Sequence, residues 1–355
     1  MRVGVDARHL GAGRGVARYL DGMLGALARA FPGDDWVALV PGRGAVAGPP
    51  GIRLVRPATP SRLLFGAAAL TGHPRLDRLL GGALDVLWVP APVPVAASAQ
   101  VPIVLTVHDR SFEARPQDFT AYERLWHRAA APRRLAARAR IVVADSAATR
   151  DDLLAAGWPI AADRLRVVAP GTDGLAQPAA AHPAVPYLLF VGALEPRKGI
   201  DVLAAAHRAA RARGLTAELL VAGAGRLAGQ LAGLDGVRLL GPVDDARLAE
   251  LYAGATALVL PSWLEGFGLP PLEAALYGVP SVLSDLPVFR ETLGAAALFV
   301  PPGDSAALAD ALLRIGADDA LRARLGAEAR TAAQRLTWEQ AAAGMHAALS
   351  EAAGA

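Results

Sequence analysis

Thirteen short apolar runs rich in β-branched residues alternate with longer Ala/Leu/Arg segments of helical period along the 355-residue chain. The runs lie at 3–7, 36–40, 52–56, 85–89, 102–107, 141–144 and 165–169. They resume at 187–191, 217–222, 237–240, 257–260, 280–283 and 297–300. Near-continuous apolar strands separated by helices belong to parallel sheets, because each crossover helix lies over the sheet it connects. Thirteen such strands are too many for one sheet, and single cores stop growing near about 250–300 residues. Between the two sets, QPAAAHPAVP at 177–186 has three prolines among small residues and neither helical nor strand period. It reads as a linker. The fold expected is α/β: two doubly wound Rossmann-like parallel-sheet domains over 1–176 and 187–335, with a closing segment 336–355. Ligands of such sheets bind outside the carboxyl ends of the strands, so a ligand gripped by both domains would sit in an interdomain cleft.

Composition narrows the classes. The chain is 53% hydrophobic, yet no apolar run reaches the roughly 18–20 residues that span a bilayer. The start, MRVGVDARHL, carries charge from its second residue and has no apolar signal core, which points to a cytoplasmic protein. The absence of cysteine excludes disulfides, thiol catalysis and Cys-based zinc sites. A net charge of +3 is not that of a nucleic-acid binder. Basic residues gather instead at Arg124, Arg128, Arg133, Arg134, Arg138 and Arg140, beside Phe112, Phe119, Tyr122 and Trp126. That cluster reads either as the solvated face of a helix or as a surface for an anionic acceptor or peripheral membrane contact. The sequence leaves oligomeric state open.

Lys198, in LEPRKGI, is the only lysine among the 36 basic residues. A GC-rich coding bias that replaces Lys with Arg wherever charge suffices explains the rest. The strand YLLFV runs into Gly192, a short loop carries Arg197 and Lys198, and a helix is expected from about Ile200. Two cations ahead of a helix N-terminus form a phosphate-binding arrangement. Arginine grips phosphate as a planar fork, whereas lysine is a compact point charge on a flexible stem, so a site needing the second geometry retains lysine.

The second constellation is EGFGLPPLE, from Glu265 to Glu273, after the strand at 257–260. Its glycines allow a ligand to approach the backbone closely. Pro270 and Pro271 suit the first turn of a helix, with the amides of Gly266, Phe267, Gly268 and Leu269 facing the strand ends. Glu265 is expected in the loop and Glu273 in the first helical turn. Both carboxylates could accept hydrogen bonds from a hydroxyl-rich ligand. His108 ends the strand at 102–107, beside Asp109.

These strings, VGALEPRKG and EGFGLPPLEAALYGVP, resemble the retaining glycosyltransferases of family 4, which have the two-domain GT-B fold. VGVDARHL, GRGVARYL, LTVHDRSF, VVADSAATRDDL, RVVAPGTD and DLPVFRETLGAAALFVPPGD resemble family segments in the expected order, the first and third most like the bacterial mannosyltransferase-like branch. The resemblance implies transfer of a hexose from a nucleotide-diphosphate sugar, GDP-mannose first among candidates, to a hydroxyl of a glycan, lipid-linked or small-molecule acceptor. It implies no cofactor beyond that donor. By position, Arg197 and Lys198 would bind and stabilise the departing diphosphate, Glu265 would contact the donor sugar and Glu273 the ribose. His108 would reach the transferred sugar. Gly13 and Gly15 would lie near the phosphates along with Gly192, and Arg14, Tyr19, Asp109 and Phe112 on the acceptor side. No Asp-x-Asp triplet occurs, which argues for the metal-independent route. The tail 336–355, with Trp338, Ala342, Met345 and Leu349 on one helical face, would pack back on the first domain; a free amphipathic interaction helix is the alternative.

Three rival readings remain. Gly223-Ala-Gly225-Arg-Leu-Ala228 fits a dinucleotide fingerprint of an NAD-dependent oxidoreductase, with Asp244 and Asp245 downstream. A non-catalytic sugar-nucleotide-binding protein would keep the fold, as would a phosphorylase or epimerase.

Overall fold

The computed structural model describes residues 1–11, 15–42, 46–175 and 185–354. The chain forms two compact units, one of Met1–Gly171 with Thr337–Ala355 and one of Thr172–Leu336.

The first unit holds a seven-stranded, wholly parallel sheet in the order β3-β2-β1-β4-β5-β6-β7. Its strands are β1 (Arg2–Asp6), β2 (Asp35–Leu39), β3 (Ile52–Val55), β4 (Val86–Val89), β5 (Ile103–Val107), β6 (Ile141–Ala144) and β7 (Leu165–Val167). Alternation along the strands sorts the core into two layers. Val3, Val5, Trp36, Ala38, Val86 and Trp88 face one layer, while Val37, Leu39, Leu87 and Val89 face the other. Helices Gly15–Ala30 and Trp338–Ala353 cover the first layer, and Leu64, Phe65, Leu135 and Leu153 come down on the second.

Trp338–Ala353 is an integral part of this unit. Met345 and Leu349 are fully buried, each contributing about 1.5–3 kcal/mol by removal from water. Thr337 caps the helix by accepting from the Gln340 N–H. A Cβ on Gly22 would stand 2.3 Å from the Trp338 ring, so the indole packs directly on backbone.

The second unit holds a six-stranded parallel sheet in the order β10-β9-β8-β11-β12-β13. Its strands are β8 (Tyr187–Val191), β9 (Glu218–Ala222), β10 (Val237–Gly241), β11 (Ala257–Leu260), β12 (Ser281–Ser284) and β13 (Leu298–Val300). The thirteen strands among the described residues fall on the thirteen apolar runs, and both units are Rossmann-like. Strand order reverses between β1 and β4 in one sheet and between β8 and β11 in the other. At such a switch point neighbouring crossovers diverge and open a crevice at the carboxyl ends of the strands.

Candidate active site

In the second unit β8 ends at Val191. The chain continues through Gly192, a single 3₁₀ turn at Pro196–Lys198 and Gly199 into the helix Ile200–Ala212. Gly199 has φ +67°, and a Cβ there would lie 2.0 Å from the Pro261 carbonyl oxygen. Only glycine lets this loop close on the one that follows β11. A backbone bond seals the junction, with the Trp263 N–H donating to the Arg197 carbonyl at 2.8 Å.

That junction sets the lysine. Lys198 is 9% exposed, and its Nζ donates to Glu265 Oε1 at 2.6 Å. The Ser262 hydroxyl, also buried, donates to the same oxygen at 2.6 Å. A charge taken out of water needs a partner of excellent geometry, since desolvation of each ion costs several kcal/mol. Lys198 and Glu265 are each other's compensation at the switch point. Arg197 is half-buried and has no side-chain partner among the described residues.

Glu273 lies on the helix Leu269–Leu276, whose N-terminus is Gly268 with φ +82°. It stands in the second turn rather than the first, because the helix begins at Leu269 and Pro270 and Pro271 fill its opening positions. There it is 3% exposed, and its Oε2 accepts from the Tyr252 hydroxyl at 2.8 Å. Phe267 is buried, and a Cβ on Gly268 would meet the Phe289 ring at 2.4 Å. The structure thus brings Lys198 and Glu265 together, and turns Phe267, Gly268 and Glu273 inward around the same loop.

Gly223 and Gly225 have a packing role. A Cβ on Gly223 would stand 1.9 Å from the Gly192 carbonyl oxygen, and one on Gly225 2.5 Å from that of Leu194. No long helix opens after this loop, only the four-residue Ala228–Leu231. Asp244 caps the helix Asp245–Gly254, its carboxylate accepting from the Arg247 N–H at 2.8 Å. The glycines bring two loops into contact and the acidic residue ends a helix, so the dinucleotide reading is not favoured.

In the first unit His108 follows β5. Its Nδ1 is 2.5 Å from Asp145 Oδ2, at the end of β6, with the side chains 17% and 5% exposed. Burial opposes charging the imidazole, but the Asp145 carboxylate, through its charge and its hydrogen bond, outweighs burial and raises the His108 pKa. Asp109 and the Pro90 carbonyl act in the same direction.

Tyr19 meets the His108 ring edge-on at 4.8 Å and is itself buried, which together with the Asp145 charge pushes its phenol well above the usual range. It therefore lies against the histidine as core. Asp109 accepts from the Ser111 N–H at 2.8 Å, and half-buried Phe112 stacks on His127 at 5.1 Å. Gly15 begins the helix Gly15–Ala30, while Gly13 and Arg14 lie outside the described residues. Asp145, Ser262 and Tyr252 received no role from the sequence. Only Ser262 had a local signal, a hydroxyl three residues before Glu265.

The same architecture occurs in the sucrose-phosphate synthase of Thermosynechococcus elongatus, with a TM-score of 0.78, 23% identity and 98% of each chain covered. Two Rossmann-like units in one chain are the fold of the GT-B class of glycosyltransferases. Residues 13–174 match the family model described as Glycosyltransferase Family 4, and residues 185–318 that of Glycosyl transferases group 1. A phosphatidyl-myo-inositol mannosyltransferase of Mycobacterium leprae is 34% identical over 301 residues, 78% of this chain and 76% of that protein. A D-inositol 3-phosphate glycosyltransferase of Xylanimonas cellulosilytica is 35% identical over 214 residues, 52% of this chain and 50% of that one. The chain belongs to glycosyltransferase family 4 and is a transferase enzyme.

Proposed function

We propose that the chain moves a hexosyl residue, mannose first among candidates, from a nucleoside-diphosphate sugar to an acceptor hydroxyl on a glycan, a lipid-linked glycan or a small molecule. The anomeric configuration is retained and no metal takes part. The observation that carries this reading is the buried Lys198 ammonium at the β8/β11 switch point. It stands beside Arg197 and just ahead of a 13-residue helix whose N-terminus adds partial positive charge. Mannose rests on the name of the mycobacterial relative.

In the proposed step the acceptor oxygen attacks the anomeric carbon from the face that the diphosphate leaves. The carbon–oxygen bond to phosphate breaks, and the acceptor proton passes to the departing diphosphate oxygen. Arg197 and Lys198 neutralise the charge that develops on that leaving group, and the remaining acceleration is positioning.

The test is thermal stabilisation by GDP, UDP, ADP, GDP-mannose, UDP-glucose and NAD, followed by turnover with the best donor. One nucleoside diphosphate should stabilise the protein, by about 2.7 kcal/mol at a hundred times its Kd. Chelator should leave turnover unchanged, and proton NMR of the first product should show the donor's anomeric configuration. Stabilisation by NAD alone sinks the reading.

A cytoplasmic enzyme in peripheral contact with an anionic membrane face is part of the proposal. Among the described residues no helix is long and apolar enough to cross a membrane. Leu63 (66% exposed), Leu70 (89%), Tyr122 (54%) and Leu125 (62%) lie on the neighbouring helices Ser61–Thr71 and Ala121–Ala130. Arg62, Arg124 and Arg128 stand exposed among them, with the Arg62 guanidinium 5.5 Å above the Tyr122 ring. Apolar tips and arginine stems suit the lipid boundary, and each basic residue adds about 1 kcal/mol at an anionic surface. Arg133 is engaged otherwise, donating to Glu113 and to the Ala156 and Gly157 carbonyls. The chain should co-sediment with vesicles containing phosphatidylglycerol, and the triple variant Leu63→Asp, Leu70→Asp, Leu125→Asp should stay in the supernatant. Wild type remaining in the supernatant ends this part of the reading.

A further inference from the structure

We propose that Asp145 is a positioning residue for His108, holding it as an imidazolium with Nδ1–H fixed on Asp145 Oδ2 so that Nε2–H is presented as a permanent donor. The inference deepens the proposed function, because it rests on His108 as a residue of the sugar site.

Asp145 is a buried carboxylate, and its Oδ2 lies 2.5 Å from Nδ1. Among the described residues its Oδ1 has no hydrogen-bond partner. An ionised carboxylate in that position needs a cation, and the imidazolium is the cation in contact with it. The ring cannot turn away. The Tyr19 edge packs on it at 4.8 Å, and the His108 backbone carbonyl accepts from the Thr149 hydroxyl at 3.1 Å. Asp145 from the end of β6, Asp109 from the histidine's own loop and Tyr19 from the helix Gly15–Ala30 are the titratable groups that face the ring. Two are acidic, and the third stays neutral because its phenol is pushed far up. All three therefore favour or permit the charged imidazole. Nε2 is buried and makes no hydrogen bond among the described residues, so its N–H is not taken up by the protein, while the Pro90 carbonyl adds to the preference for the charged ring.

The chemical consequence is specific. A histidine held as imidazolium is a donor and a fixed positive charge, and cannot take the acceptor's proton. In a reaction of this class the proton then leaves with the diphosphate, and His108 acts by donating to an oxygen of the transferred sugar. The same ring kept neutral would be a candidate base.

The direct test is an NMR titration of the His108 ring on the whole chain, assigned with His108→Gln. In wild type at pH 7 both ring nitrogens should be protonated, with a midpoint above the ordinary value of about 6.5. Asp145→Asn should lower that midpoint by about one pH unit or more, since burial then acts against the charge with only Asp109 and the Pro90 carbonyl opposing it. A neutral His108 tautomer in wild type at pH 7 overturns the proposal without any variant, as does an unmoved midpoint in a folded Asp145→Asn protein.

Kinetics provide a second readout. The high-pH limb of kcat/KM should move down with the NMR midpoint in Asp145→Asn. A merely structural role for Asp145 would lower activity equally at every pH, and that result also overturns the proposal. The two readings fail separately: the expected titration in a chain that turns over no sugar donor leaves the Asp145–His108 pair standing and ends the transferase assignment of His108.

Discussion

Replacing Lys198 with alanine lowers kcat/KM for the sugar donor by about a thousandfold, roughly 4 kcal/mol of transition-state stabilisation. The ammonium sits at the point where two loops meet, 2.6 Å from Glu265 Oε1, and is almost wholly out of water. In such surroundings a charge acts through a lower effective dielectric than it would at the surface, so its effect on a developing diphosphate charge is large. Truncation removes that charge and also leaves the Glu265 carboxylate, 7% exposed, without its cation, with the Ser262 hydroxyl still donating to Oε1. The loss should appear mainly in kcat, with nucleoside-diphosphate binding weakened as well. A Lys198→Ala enzyme within threefold of wild type would remove the lysine from the mechanism.

Lys198→Arg gives a smaller but still large loss, about a hundredfold, and this outcome explains the single lysine in the chain. A planar guanidinium carries five donors in a fixed fork, and here it would have to enter a space shaped for one compact ammonium. Gly192, whose absent Cβ would lie 4.0 Å from the Lys198 side chain, closes one side, and buried Ser262 and the 7%-exposed Glu265 side chain close the other. Some of the fork's donors would be left unsatisfied at about 1–3 kcal/mol each. Activity near wild type in Lys198→Arg would show that charge alone was needed and that the lysine survived by chance.

Legibility from sequence follows contact distance along the chain. The strands could be read because a parallel strand covered on both faces is apolar at nearly every position, as in Tyr187–Val191 and Ala257–Leu260. Lys198 and Glu265 could be read because each follows such a strand within a short loop. Asp145 could not, because its partner His108 is 37 positions away and is brought near only by the pairing of β5 with β6. Tyr252 reaches Glu273 across 21 positions from one face of a separate helix. Glu273 stands one turn later than the prolines alone suggest, because the helix already starts at Leu269. The dinucleotide-like glycines show the reverse error, in which a local pattern with a familiar spacing arises from loop packing.

That last distinction predicts a large effect on stability. Gly223→Ala should destabilise the unit Thr172–Leu336 by about 4 kcal/mol, within the range of severe core and backbone lesions. Gly223 has φ +144°, a conformation that side-chain-bearing residues rarely adopt, and its Cβ would stand 1.9 Å from the Gly192 carbonyl oxygen. The clash is with backbone, so no rotamer relieves it. Local retreat is also blocked. The Gly192 N–H donates to the Ala222 carbonyl at 3.0 Å, and the Gly223 N–H donates to the Gly241 carbonyl at 2.8 Å, lacing the ends of β8, β9 and β10 together. Moving the Gly192 carbonyl would disturb the loop that carries Arg197 and Lys198, so donor turnover should fall along with stability. Gly229→Ala is the control: a Cβ there meets nothing within 4 Å and the backbone is helical, so stability should stay level or rise slightly. Urea unfolding of the two variants followed by circular dichroism separates the readings. A glycine kept to cradle a cofactor's phosphates would give Gly223→Ala a normal unfolding midpoint and a specific loss of nucleotide binding. A glycine kept for contact between loops lowers the midpoint in the absence of any ligand.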